Sequence, residues 1–292
     1  MSKIVILGAG FLGTTLYESL KDIYQVITAD KNPRFPYICK LDALNTVELK
    51  DFLTHHNPDV IINTIALSSY YLCELNQNLC MEINFQLANK ISELSNILKS
   101  KLIFISSSYV FNGTKGNYSE SDAPDSNTAY AKAKILAEQS VLKYPSSIVL
   151  RIEPMFGYDM SCNRIRIGTN TLENNMKIAY TDLIRSPVLI NDIPDIVNNL
   201  IMDNHSGIFN IASHLQLNWY QCIKSLAALE NATDKLELVN KDNWILEPPQ
   251  NTSLNTEKLL SINSVVTSFA ESLRILKSFS LVNQPNFIGN NP

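Results

Sequence analysis

Residues 5–13 read VILGAGFLG, and no other stretch of the 292-residue chain narrows the fold as much. Gly8, Gly10 and Gly13 stand in the spacing GxGxxG, after a strand-like apolar run and before a helical pattern that extends to about residue 22. The chain holds only nine glycines, so a third of them are concentrated in this one turn. The first glycine of such a turn allows the tight bend, the second lets backbone approach a pyrophosphate, and the third lets helix pack on strand. The helix that follows offers unpaired N–H groups to phosphate. Gly8, Gly10, Phe11, Leu12 and Gly13 are therefore the expected phosphate-facing residues of a dinucleotide site. Asp30 closes the next strand-like run, YQVITAD, twenty residues beyond Gly10. That is the position from which a carboxylate reaches an adenosine ribose 2′-hydroxyl. Lys31 and Arg34 follow it and favour a 2′-phosphate, so the expected cofactor is NAD(H) or NADP(H), with a lean to NADH. Asp42 faces the adenine in one reading and caps a helix in another. Ala66, ending PDVIINTIA, completes the expected cofactor-binding set.

Short apolar runs alternate with helical ones through the first half: KIVILG, YQVITAD, YICKL, DVIINTIA, KLIFISS and SSIVLRI, with a long helix expected over 79–99. These runs are continuously apolar and do not alternate with polar residues, as expected for parallel strands covered on both faces. The fold class expected is α/β, a Rossmann-type doubly wound parallel sheet. Residues 1–155 form the dinucleotide-binding core in this reading. Residues 156–292 form a smaller substrate lobe interleaved with it.

A net charge of −4 gives no electrostatic reason to expect nucleic acid or an anionic membrane as partner. The longest apolar runs fall short of the roughly 20 residues of a membrane span. The opening MSKIVILGAG leads straight into a strand, with no signal-peptide pattern. Five cysteines, an odd count without a CxxC pair or histidine partners at metal spacing, fit reduced thiols, a cytoplasmic location and no metal site. Cys73 and Cys80, seven apart on a helical pattern, are expected to lie near one another as buried thiols.

AYAKAK (129–134) sets Tyr130 and Lys134 four apart, on one face of a helix. Reducing a ketone takes a hydride to carbon and a proton to oxygen, so a positioned acid is required. A tyrosine with its usual pKa near 10 becomes a better acid beside a cation, which favours the phenolate. Ser107, in FISSSYVFNG, leaves the carboxyl end of a central strand, where ligands sit in open α/β sheets. It is the expected third group, holding the substrate oxygen.

With these residues in view, the chain resembles the extended short-chain dehydrogenase/reductases, and within them the dTDP-4-dehydrorhamnose reductases. GAGFLG, PDVIINTIA, ISSSYVFNGTKGNYSESDAP, YAKAK, RSPVLINDIPDIV and PPQNTSLNTEKL carry the likeness nearly end to end. The resemblance implies Ser107 as the holder of the sugar O4, Tyr130 as proton donor, and Lys134 as the residue that bonds the nicotinamide ribose. It implies that Arg151 and Pro154 flank the nicotinamide. It implies reduction of the 4-keto group of a nucleotide-linked deoxy sugar, and a possible homodimer. Departures occur at Leu7, where the family's first glycine falls, at Ser108, where the reductases carry Asp, at Tyr71, and through 157–187. Neither Ser108 nor Tyr109 offers the carboxylate of the related 4,6-dehydratases. A nucleotide-sugar 4-epimerase and a non-catalytic dinucleotide-binding regulatory subunit stand as alternatives.

Overall fold

The apolar runs become one sheet because their residues face two layers at once. In the computed structural model, which describes residues 2–159, 161–162, 164–168, 170–171, 176–178, 180–239 and 247–282, β1 (Lys3–Leu7) leads through the glycine turn into α1 (Phe11–Leu20). Next come β2 (Gln25–Asp30), β3 (Ile38–Lys40), α2 (Thr46–His56) and β4 (Val60–Asn63). Two short helices, α3 (Tyr70–Leu75) and α4 (Gln77–Met81), precede α5 (Leu87–Leu98), β5 (Lys101–Ser107), α6 (Ala129–Val141) and β6 (Ile148–Ile152). A seventh strand, Gly207–Ile211, joins from the second half. The parallel order is 207–211, β6, β5, β4, β1, β2, β3.

Successive residues of β1 point to opposite faces. Ile4 and Ile6 pack with Leu16, Leu20, Val197 and Leu200, while Val5 and Leu7 pack with Leu49, Leu53, Ile91 and Phe104. All four β1 residues are fully buried. Each side chain of this size contributes about 1.5–3 kcal/mol by leaving water, which is why the strand reads as an uninterrupted apolar run. The helix Ile193–Met202 lies against α1, with the Tyr24 hydroxyl donating to Asn198 Oδ1 at 2.7 Å.

Two expectations are corrected. The helix expected over 79–99 is broken: Asn76 ends α3 and caps α4, its side chain accepting from Leu79 N–H, and a π turn at Glu82–Gln86 leads into α5. The wide turn faces Asn84 inward, where its amide accepts from Leu67 N–H at 2.9 Å and donates to Leu67 C=O at 3.1 Å. The strand expected to reach residue 66 stops at Asn63, and residues 64–69 form a loop.

Beyond β6 the chain forms the hairpin β7 (Met155–Asp159) and β8 (Arg164–Ile167), flanked by Asn170–Thr171 and Val188–Leu189. Phe156, Ile165, Ile167 and Leu226 build a second core there, with helices Trp219–Leu229 and Phe269–Val282 around it. Part of the poorly matched segment 157–187 lies outside the described residues. Among the described residues, no helix is long and apolar enough to cross a membrane, and no group of three or more metal-ligating side chains assembles.

Candidate active site

The glycine turn divides three tasks among three residues. Gly8 adopts φ +98°, and a Cβ there would sit 2.7 Å from Thr64 Oγ1. Its N–H donates to Ala29 C=O at 2.8 Å, while Thr64 Oγ1 lies 3.0 Å from both the Leu7 and Gly8 carbonyl oxygens. A Cβ on Gly13 would lie 2.0 Å from Gly8 O, so α1 is seated directly on the turn. Gly10 has nothing within 4 Å of a built Cβ, and it starts α1 without a side-chain cap. Bare N–H groups facing open space fit a phosphate. Gly13→Ala is therefore expected to lower dinucleotide affinity at least about tenfold and stability by about 1–3 kcal/mol, because the neighbour it strikes is backbone. Dinucleotide titration and thermal unfolding check this; an unchanged melting temperature would contradict the seating of α1.

Asp30 ends β2 as expected, but its oxygens are already engaged. Oδ2 accepts from Ala9 N–H and Oδ1 from Asn32 N–H, each at 2.8 Å. It braces the glycine turn and keeps spare acceptor capacity for a ribose hydroxyl. Asp42 does not cap α2. Asn45 does, its side chain accepting from Val47 and Glu48 N–H, and Asp42 pairs with Lys31 at 2.7 Å. The Lys31 ammonium beside it holds the Asp42 carboxyl below its usual range. Arg34 Nη1 donates to Ser161 Oγ at 3.2 Å. Gly10 to Gly13 and Ala66 line the cleft; Gly8, Asp30 and Asp42 do not.

This cleft, about 520 Å³, also holds Ser107, Tyr130 and Lys134. Ser107 ends β5; its hydroxyl accepts from Tyr109 N–H at 3.2 Å and shares the cleft wall with Tyr130. Tyr130 enters in the first turn of α6, whose N-terminus is held twice: Thr128 Oγ1 accepts from Ala131 N–H, and Glu74 Oε1 accepts from Ala129 N–H at 2.5 Å. Capping of this kind fixes where a first-turn residue points. Burial raises the Tyr130 hydroxyl well above its usual range, opposed by the Ser107 hydroxyl. Burial, and not the neighbouring Lys134, dominates the Tyr130 hydroxyl in this structure. Lys134 Nζ donates to Ile105 C=O at 2.9 Å and lies 4.7 Å from the Phe104 ring centroid. Its own pKa falls to about 8, again from burial, with Glu138 partly restoring it.

Pro154 lines the cleft; Arg151 does not. Arg151 is buried behind α6 in an ion pair with Glu138, Nη2 to Oε2 at 2.7 Å, where Ser106 Oγ also donates to Glu138 at 2.5 Å. Cys73 and Cys80 come from α3 and α4 to lie together against Tyr130, and all five cysteines are free thiols.

Sequence reasoning missed Glu153. It is buried at 1% exposure on the cleft wall, taking Thr252 Oγ1 at 3.0 Å and Ser186 N–H at 2.7 Å, while Ser108 Oγ donates to Thr252 Oγ1 at 3.4 Å. Burial raises its carboxyl above the usual range, opposed by Arg185, Ser108, Ser186 and Thr252. A carboxylate thus stands against Ser108, supplied from the end of β6. Its position within RIEPMF, an apolar strand end, was the one available signal, since buried acids need partners. Asn84 was hidden by the π turn. Tyr70, Tyr109, Tyr180 and Trp219 add an aromatic wall.

The open glycine cradle, the uncapped α1 and the neighbouring Ser–Tyr–Lys group fit a nicotinamide dinucleotide. Comparison with known proteins agrees on the lineage. The spore coat polysaccharide biosynthesis protein SpsK of Bacillus subtilis is 28% identical over 76% of this chain and 77% of its own length. A dTDP-4-dehydrorhamnose reductase of Aggregatibacter actinomycetemcomitans is 26% identical, covering 82% of this chain and 84% of its own. Methionine adenosyltransferase 2 subunit beta of Danio rerio is 24% identical over 93% of this chain and 89% of its own. The fold matches the crystal structure of dTDP-4-dehydrorhamnose reductase from Bacillus anthracis in complex with NADP, with a TM-score of 0.80 at 22% identity over 94% of this chain and 98% of that one. The model of the RmlD substrate binding domain matches residues 2–278, and the chain belongs to that family.

Proposed function

We propose that the protein reduces the 4-keto group of a nucleotide-linked deoxy sugar with NADH or NADPH. Residues 1–155 hold the dinucleotide in this reading, and 156–292 the sugar nucleotide. The observation that carries it is the placing of Ser107, Tyr130 and Lys134 together on the wall of a cleft that opens onto the glycine turn. Gly8, Gly10, Phe11, Leu12 and Gly13 would hold the diphosphate, Asp30 and Asp42 the adenosine end, and Ala66 the middle. When bound, the reduced nicotinamide supplies the hydride. Ser107 and Tyr130 together hold the carbonyl oxygen, and Tyr130 gives it a proton. Burial keeps Tyr130 protonated at neutral pH, the form a donor in the reductive direction needs. Lys134 sits one turn further on α6, placed to hold a ribose hydroxyl and resupply the proton. Turnover of a dTDP-4-keto-6-deoxy sugar with loss of reduced nicotinamide absorbance tests the proposal.

A second reading, a non-catalytic dinucleotide-binding subunit, has one observation in its favour. Lys134 Nζ is engaged by Ile105 C=O and not by Tyr130, and a methionine adenosyltransferase subunit matches along most of the chain. Under that reading the dinucleotide binds and is never consumed.

Lys134 also gives a pH signature. Its folded pKa of about 8 lies below the usual 10.5. Below pH 8 the amine is charged in folded and unfolded chains alike, so the cost of burying that charge is fully present. Between pH 8 and 10.5 the unfolded chain binds the extra proton, so stability rises with pH across that window. Lys134→Met is expected to stabilise the fold at pH 7 by up to about 3 kcal/mol, at 1.36 per unit, and to lose that advantage above pH 10.5. Denaturant unfolding at pH 7 and 10.5 checks this; an equal effect at both would contradict a buried charge.

A further inference from the structure

We propose that Arg166, from the β7–β8 hairpin, is the second lobe's contact to the dinucleotide diphosphate. The proposal rests on the reading of the cleft as a dinucleotide site and adds a residue that the glycine turn does not supply.

The hairpin is built onto the start of α1. Arg166 pairs across it with Gly157. A Cβ on Gly157 would lie 3.6 Å from Phe11 Cζ, so the hairpin rests on the Phe11 ring. The Arg166 guanidinium lies over that same ring, 5.5 Å from its centroid, and lines the cleft beside Gly10 to Gly13. Stacking on an aromatic face suits a guanidinium and leaves its edge free for hydrogen bonds.

The side chain is held without being used up. Nη1 donates to Asp159 Oδ2 at 3.0 Å, and that carboxylate is 3% exposed. Asp159 is itself fixed by Ser161, whose N–H and hydroxyl donate to Oδ1 at 2.9 and 2.6 Å. Ser161 in turn accepts from Arg34 at 3.2 Å, on the β2 side of the cleft. This chain orients the guanidinium while occupying one of its five donors. Nε is buried and has no partner among the described residues. A buried donor without an acceptor is costly in a finished core, and a phosphate oxygen is the acceptor that a planar guanidinium fork fits best. Meanwhile α1 starts with neither a capping side chain nor an acid in its first turn. An anion there meets the helix N–H groups from one lobe and Arg166 from the other.

The test is affinity, measured without turnover. Wild type, Arg166→Gln and Arg166→Lys are titrated with NADH by nicotinamide fluorescence and with dTDP by calorimetry, and each variant's melting temperature is recorded. Arg166→Gln is expected to weaken NADH about 10- to 100-fold, with Arg166→Lys intermediate and dTDP unchanged. Unchanged NADH affinity in Arg166→Gln overturns the assignment. So does a loss confined to dTDP, which places Arg166 on the substrate's diphosphate. A parallel loss of both affinities with a lowered melting temperature overturns it as well, leaving Arg166 as a brace of the hairpin. If wild type binds neither NADH nor NADPH, the dinucleotide reading itself fails, a different result from a variant that binds as wild type does.

Discussion

Tyr130→Phe is expected to lower turnover by about a thousandfold and to leave dinucleotide affinity within about twofold. The phenylalanine keeps the ring that packs on Cys73, Cys80 and Ala133, so the fold has no reason to change. What disappears is the hydroxyl that shares the cleft wall with Ser107. General acids of this kind contribute about 10²–10⁴ in rate. A single-turnover assay paired with dinucleotide titration separates the two effects. Lost binding with intact chemistry would make Tyr130 a structural residue and not the proton donor.

The largest expected effect on stability comes from Glu138→Ala. Arg151 and Glu138 have side chains only 2% and 4% exposed, joined by Nη2–Oε2 at 2.7 Å and by Nε to both carboxylate oxygens at 3.1 and 3.2 Å. Removing the carboxylate leaves a buried guanidinium with, among the described residues, the Glu120 carbonyl at 3.5 Å and the Phe111 ring at 5.1 Å as its remaining partners. Breaking one half of such a pair costs about 3–5 kcal/mol, while replacing both halves with apolar residues is often neutral. Glu138→Ala is expected to lower the melting temperature by roughly 10 °C. Glu138→Leu with Arg151→Met together should restore much of it, as a double-mutant cycle in urea would measure. Additive losses would mean the pair is not coupled. Glu138 lies one helical turn beyond Lys134 on α6 and Arg151 on β6, so the pair also anchors the helix that carries Tyr130 to the sheet.

Much of this was legible because local rules and tertiary structure agree where the chain binds phosphate. Gly8, Gly10 and Gly13 announce a turn that few other residues can make; the structure gives Gly8 and Gly13 a steric reason and leaves Gly10 facing open space. Continuous apolar runs announced a sheet covered on both sides, and Ile4 to Leu7 are buried on both. The misreadings have a common cause: spacing cannot say which partner a polar side chain chooses. Asp30 lies where a ribose contact was expected and also braces Ala9 N–H, a second role that spacing does not reveal. Asp42 left the capping of α2 to Asn45, three residues on. Arg151 sits one residue from the cleft wall, on the opposite face of β6, because strand neighbours alternate. Glu153 looked like part of an apolar strand end, and only folding brings Ser108, Ser186 and Thr252 to it from three distant segments. The Tyr130–Lys134 pairing was legible as geometry. Its electrostatics were not, because burial is a property of the fold.

The central claim is reduction of a nucleotide-linked keto sugar at the Ser107–Tyr130–Lys134 wall. Its most direct test follows absorbance at the reduced-nicotinamide band with dTDP-4-keto-6-deoxy sugars, with NADH and NADPH in parallel. The expected result is stoichiometric oxidation of one of the two coenzymes by wild type. Tight coenzyme binding with no oxidation across these sugars would contradict it, and would mark the protein as a dinucleotide-binding subunit.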